Sequence, residues 1–387
     1  MILRLLSLLA LALPALVLRA QDTPVQATVT AVAGNVMITA PDGTAAPAVV
    51  GRKLSVGASI RTALDGRLTL ETHPGIVAVI AGDSSVGIEK LGIGPNGIRH
   101  ALLDLKSGHL AASLDPARKS ENNFGIRTAK GVALARGTTL TVTVNGNSYQ
   151  VSVVAGNVSV NWGGQVVNIV GGTSASVTSN VGGTVTTTSL GTALAGGGST
   201  PLTEALTAAA AAAATVATTS ADVTNVLNVI ASAAGTAPGA ASTLASATAA
   251  ATGAAVTNAT LVAAAGAGGT TGIASTISTA AVSAATSAGN GAAAQLIVTS
   301  AVAAVANSIS GTNVNSVATA LAGAANTAQG NTGNTTINAG QVTAGVNAAL
   351  NPATAQGQPV GSGRGNVATT TPVTPLTPTV TVSPTGD

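Results

Sequence analysis

The chain has 387 residues and a net charge of +3, yet only 7% of it is charged and 1% aromatic. It contains no cysteine, which excludes a disulfide scaffold, a cysteine nucleophile and a thiolate zinc site. The small basic excess has no Lys/Arg clusters beside aromatics, so no nucleic-acid partner is expected. After Arg136 the only charged residues are Glu204, Asp222, Arg364 and Asp387, and no aromatic follows Trp162. One half has charges outside and branched aliphatics inside; the other is built from Ala, Gly, Thr, Ser, Asn and Val.

Residues 1–20 read as a signal peptide. Arg4 supplies the positive start, and Leu5 to Leu18 is an apolar run broken only by Ser7 and Pro14. Arg19 ends that run short of the roughly 20 residues a membrane span needs. Cleavage is expected after Ala20, or after Ala27 with Val25 at the −3 position. The mature chain is therefore expected outside the cytosol, periplasmic or at the cell surface, with no lipobox and no transmembrane anchor.

Residues 26–185 carry strand signals. Arg67 to Thr72 alternates, with Leu68 and Leu70 on one face. Thr139 to Val144 alternates likewise, and Asn145-Gly146 supplies a hairpin turn. The return strand puts Tyr149, Val151 and Val153 on one face; after Gly156-Asn157, Val158, Val160 and Trp162 repeat the spacing. Gly163-Gly164 and Gly171-Gly172 punctuate the next strands, as Asp42-Gly43, Asp65-Gly66 and Asn96-Gly97 do earlier ones. Short strands at this spacing predict an all-β domain, an antiparallel sandwich or roll with a Val/Leu/Ile core.

Three motifs in this stretch resemble the FecR-type domain of bacterial envelope proteins. Gly57-Ala58-Ser59-Ile60-Arg61-Thr62-Ala63-Leu64-Asp65-Gly66-Arg67-Leu68 is similar to its first strand-turn-strand, and Leu103-Asp104-Leu105-Lys106-Ser107-Gly108-His109-Leu110 to its second strand. Phe124-Gly125-Ile126-Arg127-Thr128-Ala129-Lys130-Gly131-Val132-Ala133-Leu134-Ala135-Arg136-Gly137-Thr138-Thr139-Leu140-Thr141-Val142 resembles the third, with Ala129 where proline and Leu140 where phenylalanine is usual. Val153 to Val158 fits the hairpin that follows. The likeness spans about 51–168. It implies a signal-sensing role in sigma-factor regulation, which in this family uses a cytoplasmic anti-sigma segment and a spanning helix. The roughly 20 residues ahead of the cleavage point offer no such arm, so a relay role requires a partner that carries one.

No catalytic, cofactor-binding or metal-binding residues are assigned. His73, His100 and His109 are the histidines; His100 and His109 are placed near each other on paired strands, with no spacing that brings a third ligand. Gly82-Asp83-Ser84-Ser85 faintly echoes a serine-hydrolase block, but no base–acid pair accompanies it, and a polar hairpin is expected. Arg136-Gly137-Thr138 and Arg61-Thr62 read as bulges or close backbone approaches rather than anion contacts. Asp65, Glu71, Asp83, Glu89 and Asp104 are expected singly on polar faces or turns.

Residues 186–200 are expected as a linker. From 201 to 350 an Ala-rich, low-complexity region shows narrow helical stripes: Leu202 and Leu206; Val223, Val226, Leu227 and Ile230; Val298, Val302, Val305 and Ile309; Val314, Val317 and Leu321. Ser220 and Thr312 are expected to cap helices, and glycines 235, 253, 311 and 330 to end them. Weakly packed helices that self-associate or act as a spacer are expected, followed by a disordered Pro/Thr tail over 351–387. The composition predicts a non-catalytic exported protein whose β domain is a binding or scaffold module of the cell envelope, its partner an envelope protein or glycan. Periplasmic signal sensing, or a surface adhesin or matrix role, is the alternative.

Overall fold

The computed structural model describes residues 22–162, 164–178, 185–195, 199–329 and 336–350. The expected signal peptide and Pro/Thr tail lie outside these residues. From Thr23 to Thr178 and again at Val185–Ser189 the chain forms strands in two sheets that roll around one apolar core. Sheet A runs Ala45–Pro47, Val36–Thr39, Ser59–Thr62, Ser85–Ile93, the first half of Arg99–Leu114, Asn122–Thr128, Gly131–Ala135, Asn157–Trp162 and Gln165–Val170. Sheet B runs Lys53–Leu54, Ala27–Ala33, Arg67–His73, Ile76–Ile80, the second half of Arg99–Leu114, Thr139–Asn145, Ser148–Ala155, Thr173–Thr178 and Val185–Ser189.

The strand Arg99–Leu114 belongs to both sheets. It folds over at Gly108, where φ is +89° and an added Cβ would lie 2.3 Å from Ser84 Oγ and 2.5 Å from the Asp83 carbonyl. Only glycine fits this corner. The fold brings both ends of the strand together, so the short link Asp115–Glu121 returns the chain to sheet A. Asn122–Thr128 therefore pairs with Arg99–Asp104 in parallel, a departure from the expected all-antiparallel pairing.

The chain passes between sheets repeatedly, mostly at glycines; Asp65-Gly66, Gly156-Asn157 and Gly171-Gly172 carry turn signals in the sequence, whereas Gly34-Asn35 and Gly108 do not. Gly34-Asn35, Ala63 to Gly66, Gly82 to Ser84 and Gly108 form one row of corners. Its members are joined by backbone bonds from Ala63 N to Asn35 O (2.9 Å), Asp83 N to Ala63 O (3.0 Å) and Ala81 N to His109 O (3.0 Å). Gly82-Asp83-Ser84 is thus a corner, not a hairpin; Asp83 holds a positive φ of 52°, and Ser84 Oγ accepts from His109 N at 2.9 Å. Gly137-Thr138, Gly156 and Gly171-Gly172 make the opposite row.

The inner faces carry the core that the alternation predicts: Leu68, Leu70, Phe124, Ile126, Tyr149, Val151, Val153, Val158, Val160 and Trp162 are all buried. The outer face of sheet B is different. Thr139, Thr141 and Thr143 alternate like a half-exposed strand but are buried. A helical layer covers them.

That layer comprises α1 (Leu190–Ala195), α2 (Ser199–Val216), α3 (Ser220–Ala234), α4 (Ala240–Thr257), α5 (Ala259–Ala264), α6 (Gly269–Ser287), α7 (Ala294–Ser308), α8 (Val314–Gln329) and α9 (Ala339–Leu350). The stretch expected as a linker therefore holds the end of a strand, α1 and the start of α2. Helix α2 lies on sheet B, α4 packs on α2, and α7 on α4; α3 and α8 flank α6. The Ala208–Ala214 run is buried on both sides, except that Ala211 is partly exposed. Small side chains let α2 approach a sheet face that carries Val77, Val79, Ala111 and Val154. The hydroxyls between them pair off: Ser113 with Thr139 at 2.9 Å and Ser152 with Ser174 at 2.9 Å. Buried polar groups so satisfied cost little.

The predicted stripes on α3, α7 and α8 point inward, so their apolar area is spent on internal packing. By length and hydropathy Gly291–Ser308 would suffice to cross a membrane; here Ile297, Val298, Ala301, Val302 and Val305 bury it against neighbouring helices. Caps sit one residue from where the pattern places them. Thr219 caps α3 in a box with Asp222, and Asn313 Oδ1 accepts from Ser316 N at 3.1 Å at the start of α8. Gly253 lies within α4 instead of ending it, whereas Gly235 does end α3. Asn258 joins three helices: its Oδ1 caps α5, and its Nδ2 donates to Ala214 and Ala217 carbonyls at the end of α2.

Two glycines with similar φ separate strain from steric exclusion. Gly97 (φ +77°) has nothing near its missing Cβ, while Gly108 (φ +89°) faces backbone. Gly97→Ala should cost about 1 kcal/mol, the ordinary left-handed penalty. Gly108→Ala should cost more than about 3 kcal/mol, read as a lower denaturant midpoint at unchanged slope.

Candidate functional site

Because helices cover sheet B, the outer face of sheet A is the broad β surface left uncovered among the described residues. Its centre is organised by two bulges. Between Leu102 and Leu103 the register shifts so that Glu89 is the extra residue on its strand, and between Leu105 and Ser107 the extra residue is Lys106. A bulge re-aims a side chain. Glu89 reaches across the neighbouring strand to Arg127, whose Nη1 lies 3.0 Å from both carboxylate oxygens. Lys106 pairs with Asp104, which is itself opposite Arg127 in the parallel ladder. Asp104 holds the Lys106 ammonium, raising its pKa above the ordinary lysine value by hydrogen bond and charge. Arg61 stands exposed on the same sheet, opposite Ser85.

An apolar spot adjoins this strip. At Gly125 a Cβ would sit 2.9 Å from Leu102 Cδ1, 3.2 Å from Leu134 Cδ2 and 3.5 Å from Val132 Cγ1, so these three side chains converge over the glycine. Leu134 is 47% exposed. Apolar contact beside fixed charges of both signs suits recognition of a protein surface.

The expected site residues fall as follows. His100 and His109 share the folded strand but lie in different sheets, not on paired strands: His100 faces Gly92 and Asn122–Thr128's Asn123, at 3.1 Å from its Nδ2, while His109 Nδ1 is 3.1 Å from Thr143 Oγ1 under the helices. His73 is instead the neighbour of His100, its Nε2 3.2 Å from the Gly92 carbonyl. Among the described residues no three His, Cys, Asp or Glu side chains gather as metal ligands. Arg136-Gly137-Thr138 is a close backbone approach, with Gly137 against Pro116 and Lys119. Asp65 and Asp83 occupy corners, and Glu71 is half-buried in sheet B. Glu89 and Asp104, expected singly, are brought together with Arg127 and Lys106. The signal that could have found them is one charged residue too many in each alternating run.

Two clefts lie where the helices meet the roll. One of about 280 Å³ is lined by Asp115, Thr138, Asp222 and Asn225 among others. One of about 210 Å³ holds Arg67 and Glu204 beside Asp65. Burial lowers the Arg67 pKa from the ordinary arginine value, and Glu204 opposes that. Neither cleft sets a nucleophile beside a base.

Residues 58–159 match the family model described as FecR protein. The chain carries a FecR domain. No curated protein matches. Among solved structures, two crystal structures of a candidate anti-sigma factor from Parabacteroides distasonis, at 1.65 and 2.50 Å, are similar at 17% identity and a TM-score of 0.29. Each alignment covers 34% of this chain and 59% of that one. The FecR match spans the strands of this face from Ser59 to Leu134.

His73 and His109 are both pushed below the ordinary histidine value of 6.5 by burial. Their folded state therefore resists protonation that the unfolded chain accepts. Stability is full above about pH 6.5 and is lost as pH falls below it toward the lowered folded values. Denaturant unfolding at about pH 5 should show a lower midpoint than at about pH 7.5, and His73→Gln should narrow the difference.

Proposed function

We propose that this chain is a non-catalytic FecR-type signal-sensing module, which acts outside the cytosol by docking a protein partner on the outer face of sheet A. The observation that carries the reading is the placement of the FecR match: its strands build the bulged strip of Glu89, Asp104, Lys106 and Arg127 and leave it open. The helices cover the opposite sheet. A charged strip fixed by bulges gives register and orientation, and Leu102, Val132 and Leu134 give desolvation. The signal peptide expected over residues 1–20 and the FecR domain both favour an envelope location.

A scaffold role is the second reading. It is favoured by the way α2 lies on sheet B and the later helices stack outward from it, extending the body of the protein.

The two readings separate in transcription. Loss of the protein should change a discrete set of transcripts, and complementation with Arg127→Glu should fail where the native chain succeeds. Exposed ion pairs contribute about 0–1 kcal/mol to stability, so the folded amount of the variant should be near native. An unchanged transcript profile on loss of the protein would refute the sensing role and leave the scaffold.

A further inference from the structure

We propose that the free edge of sheet A, strand Gln165–Val170, pairs with the same strand of a second copy, antiparallel, about a two-fold axis through Asn168. The strand has one described neighbour, Asn157–Trp162. It presents Val166 at 67% and Val170 at 52% exposure. An open, apolar edge strand is a template for strand addition, and natural edges are ordinarily blunted by lysine, proline or brevity. Two other edges follow that rule: Ala45–Pro47 ends in proline, and Lys53–Leu54 is two residues long and begins with lysine; Val185–Ser189, the second edge of sheet B, lacks these devices but is built mainly of threonine instead of exposed valine. Gln165–Val170 has none of these devices.

The register selects a second copy. Two residues separate Trp162 from Gln165, so that closing pair is hydrogen-bonded and the alternation follows from it. Gln165, Val167 and Ile169 spend their backbone groups on the neighbouring strand. Val166, Asn168 and Val170 turn theirs to the open side. A two-fold axis at Asn168 sets Asn168 opposite itself and Val166 opposite Val170 of the partner subunit. Every outward N–H then meets an outward carbonyl, and the exposed valines become cross-strand neighbours. The Val170 carbonyl already accepts from Thr173 Oγ1, and its second lone pair serves the new ladder. Asn168 Oδ1 is held by Ser159 Oγ at 2.7 Å, which leaves the Asn168 amide N–H groups to face the partner. No charged residue occurs between Arg136 and Glu204, so nothing in this hairpin repels its own copy. An axis at Val167 would instead oppose backbone groups already in use.

A six-residue pairing buries less than about 1,200 Å² and so gives a reversible dimer. The chain has no cysteine, so single cysteines report position without ambiguity. In the full chain, Asn168→Cys should oxidise to a disulfide-linked dimer. Val166→Cys alone should not, but mixed with Val170→Cys it should give the mixed dimer. Thr187→Cys, on the edge strand Val185–Ser189 of sheet B, sets the background rate. Sedimentation should show concentration-dependent dimer in the native chain and at least a tenfold weaker association for Val166→Lys with unchanged circular dichroism. A native chain that stays monomeric at roughly 100 µM, well above the micromolar scale of such contacts, would overturn the proposal. So would an Asn168→Cys chain that crosslinks no faster than Thr187→Cys, or a Val166→Lys chain that associates as the native one does.

Discussion

The fold depends on a steric exclusion: backbone from successive passages between the sheets stacks so closely that a side chain cannot stand there. Gly34 would drive a Cβ to 2.2 Å from the Asp65 carbonyl, Gly66 to 2.4 Å from Asn35, Gly82 to 2.2 Å from Leu64 and Gly108 onto Ser84. Each corner is braced by the one before it, so the row is cooperative, and an error at one passage displaces the strands on both sides. In a chain without disulfides, the passages at Gly34, Gly66, Gly82 and Gly108 are pinned in this way. The same device sets the parallel pair, since folding Arg99–Leu114 at Gly108 leaves Asn122 beside Arg99 and no room for a hairpin return.

Composition of the second half follows from the first. The outer face of sheet B is made of Val, Ala, Ser and Thr, and hydroxyl pairs quench its polarity. A helix of large side chains would stand off that face and leave voids, whereas the Ala-rich α2 packs against it and also against α4. Each alanine buries little area, so the layer is stabilised by close approach over many residues rather than by anchors. Two-sided burial accounts for the absence of charge in Ala208–Ala214, while exposed positions of the layer such as Asn228, Asn313 and Asn315 carry uncharged polar side chains.

Strand existence and inward faces were legible from period-two patterns and turn glycines, and so was the FecR domain from its ordered motifs. Three things were not. The alternation of Thr139–Val144 reports the pleat but not what lies on its far side, and a threonine tolerates either water or a helix. Gly82 to Ser85 signals a change of direction, but a corner between sheets and a hairpin within one use the same residues. The surplus charge at Glu89 hints at a one-residue register shift, but its partner Arg127 does not follow from it, because pairing between strands distant in sequence is fixed by packing. Helical stripes were visible, but Thr219 and Asn313 act as caps where Ser220 and Thr312 were expected, because boundaries turn on single hydrogen bonds.

The asymmetry of the two sheets has a functional consequence. Covering sheet B removes a face and leaves sheet A with charge at its centre and a bare edge at one side. These surfaces differ in what they can select. A partner docked on the central strip, as proposed, would be selected by the sign and position of side chains. The edge offers backbone groups, which every chain possesses, and it gains selectivity only through register. A symmetric register around Asn168 satisfies that requirement with a copy of the same strand, whose exposed valines meet each other and whose polar side chain meets its own kind. Discrimination by charge at the face and by symmetry at the edge can therefore operate on one sheet without competing for the same residues.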